Sequence, residues 1–151
     1  MKKLFLLLLL LLATSFAQTN TMKPLNEVIA ELDEIQPHNA QYIAFRCMGL
    51  FGMIKGITDN SPKAPEAKEL MEQRSQQIIM IGYELHMLEN PNSDIEEYME
   101  IVMVTVPSIA DNYQIEANKS YIDTGNYFDS KFVIEDMPFC LQMTDGYGAQ
   151  S

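Results

Sequence analysis

The sequence predicts an all-α domain: an antiparallel four-helix bundle preceded by a short leading helix. Three observations carry that expectation. Apolar residues recur every three or four positions along several long segments, which is the spacing of one helix face. Proline, asparagine and glycine clusters separate those segments by short loops, the connection typical of neighbouring helices in a bundle. The chain also holds only two cysteines. Cys47 lies in the first long segment and Cys140 in the last, placed to tie the two together.

The elements follow in chain order. Leu25, Val28, Ile29, Leu32 and Ile35 trace one face between Pro24 and Pro37. They predict the short leading helix, with Glu27, Glu31, Asp33 and Glu34 on its solvated side. The first long helix is the clearest: Asn39 can cap it, and Ile43, Cys47, Leu50, Ile54 and Ile57 follow in a heptad-like stripe. Gly49, Gly52 and Gly56 each lower its helix propensity by roughly 1 kcal/mol, which suggests close approach of a neighbouring helix. Gly52-x-x-x-Gly56 also matches a membrane dimerisation motif, but Arg46 and Lys55 interrupt the apolar stretch and argue against a span.

Thr58 to Pro65 reads as a loop by composition. Pro65 suits the first turn of the second long helix, whose inner face is expected at Leu70, Met71, Arg74, Ile78, Ile81, Leu85 and Leu88. Asn90-Pro91-Asn92 stops it. Ser93-Asp94-Ile95-Glu96 is a capping-box pattern and opens the third long helix, marked by Met99, Val102, Val106, Ile109 and Tyr113 and reaching toward Tyr121. Residues 101–106 alone would suit a strand, yet the helical period on both sides wins. Pro107 predicts a kink, and Thr124-Gly125-Asn126 a turn. Tyr127 to Thr144 shows no clean period and contains Pro138, so a broken helix is expected to bring Cys140 beside Cys47. Residues 25–144 thus form the bundle domain, with a flexible lead at 18–24 and a loose tail at 145–151.

The N-terminus adds an address. Lys2 and Lys3 precede an apolar run from Leu4 to Ala13, and Ser15-Phe16-Ala17 offers the small residues that a signal peptidase accepts. Residues 1–17 are therefore expected to be a cleaved secretory signal, since the run is well short of the roughly twenty residues that cross a bilayer. No cysteine near the junction could carry a lipid. The expected destination is the periplasm or the medium. There, an isolated cysteine pair in a small domain reads as a disulfide.

Cleavage also removes two lysines, leaving 8 basic against 21 acidic residues and a formal charge of −13. Such a surface repels nucleic acid and anionic lipid. Solubility, or a cationic protein partner, is what it favours.

Several constellations carry candidate chemistry. Arg46 and Arg74 fall on adjacent helices, and Tyr42, Tyr83, Tyr113 and Tyr121 are spread over three, residue types favoured at binding surfaces; Arg46, Arg74, Tyr42 and Tyr113 could hold an anionic ligand. The plainer expectation is interhelical salt bridges to the abundant glutamates. Methionine is enriched, at 11 residues, and its soft sulfur can bind Cu(I) in an exported protein. Met80, His86 and Met87 on one helix, with Met99 and Met103 on the next, are the candidate ligands. The competing reading is that methionine fills irregular gaps in helical cores, and that His38 and His86 lie at the surface. Asp123-Thr124-Gly125 spells an aspartic-protease tripeptide, but it has no second copy and no strand context. No nucleophile motif, haem-attachment motif or cofactor motif is present. The expectation is a non-enzymatic envelope protein that acts by contact with another envelope protein, without a cofactor. The alternative is a bundle that binds a small ligand or Cu(I). Oligomeric state is left open.

Overall fold

The computed structural model describes residues 22–59 and 65–148. The expected signal peptide, much of the loop after Thr58 and the last three residues of the expected tail lie outside them. Among the described residues there are five α-helices: α1 (Leu25–Ala30), α2 (Pro37–Asp59), α3 (Pro65–Glu89), α4 (Ile95–Thr124) and α5 (Lys131–Gly148). A 3₁₀ turn at Tyr127–Asp129 joins the last two. No strand occurs among the described residues, and no helix among them is long and apolar enough to cross a membrane. The fold is an all-α bundle of four long helices and a short leading one, closed by the expected Cys47–Cys140 disulfide.

Helix ends follow local chemistry. Pro37 and Pro65 occupy first positions, where a missing N–H costs no intrahelical bond. Helix α1 stops at Ala30 rather than Ile35, because Glu31, Asp33 and Glu34 would crowd carboxylates at its negative end. Ile35 is accordingly exposed. At α4 the cap is Asp94, one residue later than Ser93, and its carboxylate accepts from the Glu97 N–H at 2.9 Å. Gly125 ends α4 in the left-handed conformation, φ 80°, and donates its N–H to the Tyr121 carbonyl.

The C-terminal segment corrects two expectations. Helix α5 is one helix rather than a broken one, with Pro138 inside it on the exposed side. It also runs on to Gly148, where a loose tail was expected from 145. Asp145 is bonded there by Arg74, and the Tyr147 hydroxyl donates to Glu84 at 2.8 Å.

Helix α2 is the axle of the molecule. Every residue from Ile43 to Phe51 is buried, which requires neighbours on all sides. Helix α3 runs antiparallel along it: Gln41 meets His86, Met48 lies against Gly82, and Lys55 pairs with Glu72 at 3.5 Å. Helix α4 behaves differently. Tyr98 stacks on Phe45, Ile109 lies on Gly49, and Tyr113 reaches Arg46. A long stretch of α4 thus meets little more than one turn of α2, so α4 crosses α2 instead of running alongside it. Helices α1 and α5 close the remaining side.

Gly49 makes the crossing possible. A Cβ there would stand 2.6 Å from the Ile109 side chain and 3.1 Å from the Ala110 backbone nitrogen. The close approach expected of the α2 glycines is therefore real at Gly49. It is absent at Gly52 and Gly56, where a Cβ would meet nothing within 4 Å. The inner face of α3 is also displaced from the expected one. Met71, Ile78, Gly82 and His86 are buried, whereas Leu70 and Leu88 face solvent.

Candidate functional site

The most polar point of the interior is built around Arg46. Its position on α2, one residue before Cys47, places it on the same buried turn, and it is 0% exposed. Its Nη2 donates to Asp136 Oδ2 at 2.5 Å, and Asp136 is itself 0% exposed. Nε donates to the Tyr113 hydroxyl at 3.1 Å, and Nη1 to the Lys23 carbonyl at 2.9 Å and the Tyr42 hydroxyl at 3.4 Å. Tyr113 in turn donates to Asp136 Oδ2, while the Leu25 N–H donates to Oδ1 at 2.6 Å. Four helices converge on this one carboxylate and guanidinium.

The electrostatics follow from that closure. Burial works against the Arg46 charge, but Tyr113, Tyr42 and Asp136 outweigh it and hold the guanidinium above its ordinary range. Burial pushes the Tyr113 phenol up, with Asp136 adding to it and Arg46 opposing it. Tyr113 therefore stays a neutral donor.

Three of the four candidate ligand-binding residues, Arg46, Tyr42 and Tyr113, are thus brought together. Arg74 is not among them: its Nη1 donates to Thr144 at 2.9 Å and its Nη2 to Asp145. A pocket of about 360 Å³ lies over Tyr42 and Arg46. However, the carboxylate that Arg46 grips belongs to the chain itself, and each of its nitrogens already donates within the protein. The partners of the two arginines are aspartates on α5, not the glutamates expected.

Asp136 is the interior residue that periodicity missed. The buried face of α5 is Val133, Asp136, Cys140 and Thr144. Half of those positions are polar, so no hydrophobic repeat marks it. Given Cys140 as an inward residue, Asp136 and Thr144 one turn to either side were the available signal.

The candidate metal ligands are placed otherwise than expected. His86 is buried, at 6% exposure, because α3 turns this face to α2. The Gln41 amide donates to its Nδ1 at 3.0 Å and the Asn90 amide reaches the same nitrogen at 3.4 Å. Nε2 then carries the hydrogen and donates to Ser93 Oγ at 3.1 Å. Neither nitrogen offers a metal a lone pair, and this tautomer does not take a proton from Ser93. Met103 is 72% exposed and Met80 also faces solvent, while Met87 and Met99 are half-buried. Met48, Met53 and Met71 are core residues, as the gap-filling reading predicts. Among the described residues, no group of three or more histidine, cysteine, aspartate or glutamate side chains is arranged to hold a metal ion. Asp123-Thr124-Gly125 is the exit turn of α4, with Gly125 as its left-handed cap.

Helix α4 also carries an apolar outer face. Val104 and Ile122 are each 81% exposed, and Ile101 and Ile115 are exposed beside them. They lie along a helix of thirty residues, about 45 Å at helical rise, on the side opposite the buried Val102, Ile109 and Tyr113. A row of aliphatic side chains is left in water.

No family model, no curated protein and no solved structure matches this chain.

Proposed function

We propose that this protein is exported and works by holding another protein, with the outer face of α4 as its contact surface. The export reading rests on Lys2-Lys3, the leucine run and Ala17. A buried disulfide supports it, since such bonds persist in oxidising compartments. Periplasm or medium is the destination, and N-terminal sequencing of the mature protein should begin at Gln18.

The exposed aliphatic row on α4 is the observation that carries the contact reading. Single exposed apolar residues are ordinary, but four on one helix face, interrupted by Ser108, Asp111 and Asn118, support reading that face as an interaction surface. The interior offers no competing site, because its buried guanidinium, carboxylate and imidazole are occupied by one another and by neighbouring amides and hydroxyls. We read the role as one of contact rather than of catalysis.

Photo-crosslinkers placed at Val104 and Ile122 in the producing cell test this, with Gln76 on the exposed side of α3 as the control position. A discrete adduct at the two α4 positions and none at Gln76 is expected. Equal labelling at all three, or none at Val104 and Ile122, would remove the reading.

A further inference from the structure

The chemistry of that face specifies its occupant. Ile101, Val104, Ile115 and Ile122 are its apolar positions, and Ser108, Asp111 and Asn118 lie between them at the steps that complete an alternation of three and four residues. That is the heptad seam of a two-helix contact, and it runs for about three heptads on the side away from α2. Among the described residues nothing buries it, although Ile101 lies beside the loop at Pro91; the face toward α2 is the opposite one, with Ile109 and Tyr113.

The charge around the seam has one sign. Helix α4 carries Glu96, Glu97, Glu100, Asp111, Glu116 and Asp123 against Lys119 alone. Lys119 pairs with Glu116. Among the described residues, the other five carboxylates enter no ion pair. Asp111 stands at the centre of the seam, midway between Ile101 and Ile122, and that position decides between occupants. A second copy of the chain, docked antiparallel about the centre or parallel in register, would bring Asp111 against its own counterpart. Like charges at such a position are unfavourable, and the whole mature surface adds to the repulsion. An anionic lipid surface meets the same objection.

We infer that the occupant is a basic amphipathic helix of another protein, with aliphatic residues on the α4 seam and a lysine or arginine opposite Asp111. This rests on the contact reading above and adds the chemistry of the partner. Charge would steer the encounter, the aliphatic seam would hold the complex, and binding would weaken with salt.

The test uses the mature protein and synthetic helices of about four heptads: one with leucine seams and lysine flanks, one with the same seam and glutamate flanks, and one with the lysine peptide's composition scrambled. Isothermal titration should find the lysine helix bound at least roughly tenfold tighter than either other peptide. Val104→Gln and Ile122→Gln, which remove apolar surface without adding charge, should each weaken binding of the lysine helix by about tenfold, and Asp111→Lys should weaken it by a similar factor. All three positions are exposed, and circular dichroism would verify that each variant folds. Equal binding of the scrambled peptide, no effect of Val104→Gln or Ile122→Gln, or a dimer of the protein through this face in sedimentation would overturn the inference. Crosslinks at Val104 and Ile122 in the cell without any preference for the lysine helix would leave the contact reading standing and sink this one alone. A preference for the lysine helix without cellular crosslinks would sink the contact reading and this inference with it.

Discussion

Arg46 on α2 and Asp136 on α5 form a salt bridge at 2.5 Å with neither side chain exposed, ninety residues apart in sequence. It stands one position from the Cys47 end of the disulfide and one helical turn from the Cys140 end. A covalent and an ionic tie therefore bind the same turn of α2 to the same face of α5. The same carboxylate reaches the first N–H of α1 and the Tyr113 hydroxyl of α4, so the cluster sets how four helices meet.

Asp136→Ala should be strongly destabilising, by about 3–5 kcal/mol, because it strands a buried guanidinium without its counter-charge. Asp136→Asn should cost less if its amide oxygen still accepts from Arg46. The double change Arg46→Met with Asp136→Leu removes both charges, and should recover most of the loss. Urea unfolding of the three variants checks the order. A double variant as unstable as Asp136→Ala would show that the pair contributes something packing cannot replace.

Reducing the Cys47–Cys140 bond frees a separation of 93 residues, for which the chain-entropy account gives roughly 4–5 kcal/mol. Both sulfurs are buried, so a reductant should act only after opening. Thermal melts with and without dithiothreitol should therefore coincide after brief exposure and separate by many degrees once the thiols are alkylated in denaturant and the chain refolded. An unchanged midpoint in the alkylated protein would refute the estimate.

How far the sequence foretold this arrangement depends on where the core is apolar. Helix α2 was legible because Ile43, Cys47, Leu50 and Ile54 repeat cleanly, and the disulfide followed from two cysteines behind an export signal. Helix α5 was not, because Asp136 and Thr144 occupy core positions and Pro138 suggested a break, although it sits harmlessly on the exposed face. His86 was placed at the surface because the inner face of α3 was phased on Leu70 and Leu88. The true phase includes Gly82, a residue that hydrophobic patterns ignore and that a Tyr98 hydroxyl requires: a Cβ there would stand 2.0 Å from it. The α4 seam was hidden for a related reason. The inner apolar stripe of that helix explains the pattern by itself, and only the exposure of Val104, Ile115 and Ile122 in the folded chain shows a second stripe.

The glycines of α2 make a paired prediction. Gly49→Ala places a methyl against Ile109 and the Ala110 backbone, and should destabilise by about 1–3 kcal/mol through overpacking. Gly52→Ala meets open space on an exposed helix position, and should stabilise by up to about 1 kcal/mol through helix propensity. Opposite shifts in the unfolding midpoint are expected. The same sign for both would mean that α4 does not press on Gly49.

Alkaline pH should unfold the protein from its two deepest phenols. Burial raises the Tyr98 pKa, and among the described residues its hydroxyl has no hydrogen-bond partner. Burial also raises that of Tyr113, chiefly, with the Asp136 carboxylate adding to the shift against Arg46. In the unfolded chain both ionise near the ordinary value of 10.0, so the folded state binds protons that the unfolded state has released. Their contribution to stability is complete below that value and is lost as pH rises above it, by up to about 1.4 kcal/mol per pH unit for each group. The urea midpoint should fall between pH 9 and pH 11 (about one unit either side of that value), and Tyr98→Phe should flatten the fall. Phenolate absorbance should show two of the seven tyrosines ionising only as the helical circular dichroism is lost. If all seven titrate while the helices persist, Tyr98 and Tyr113 are not sealed in the core as described.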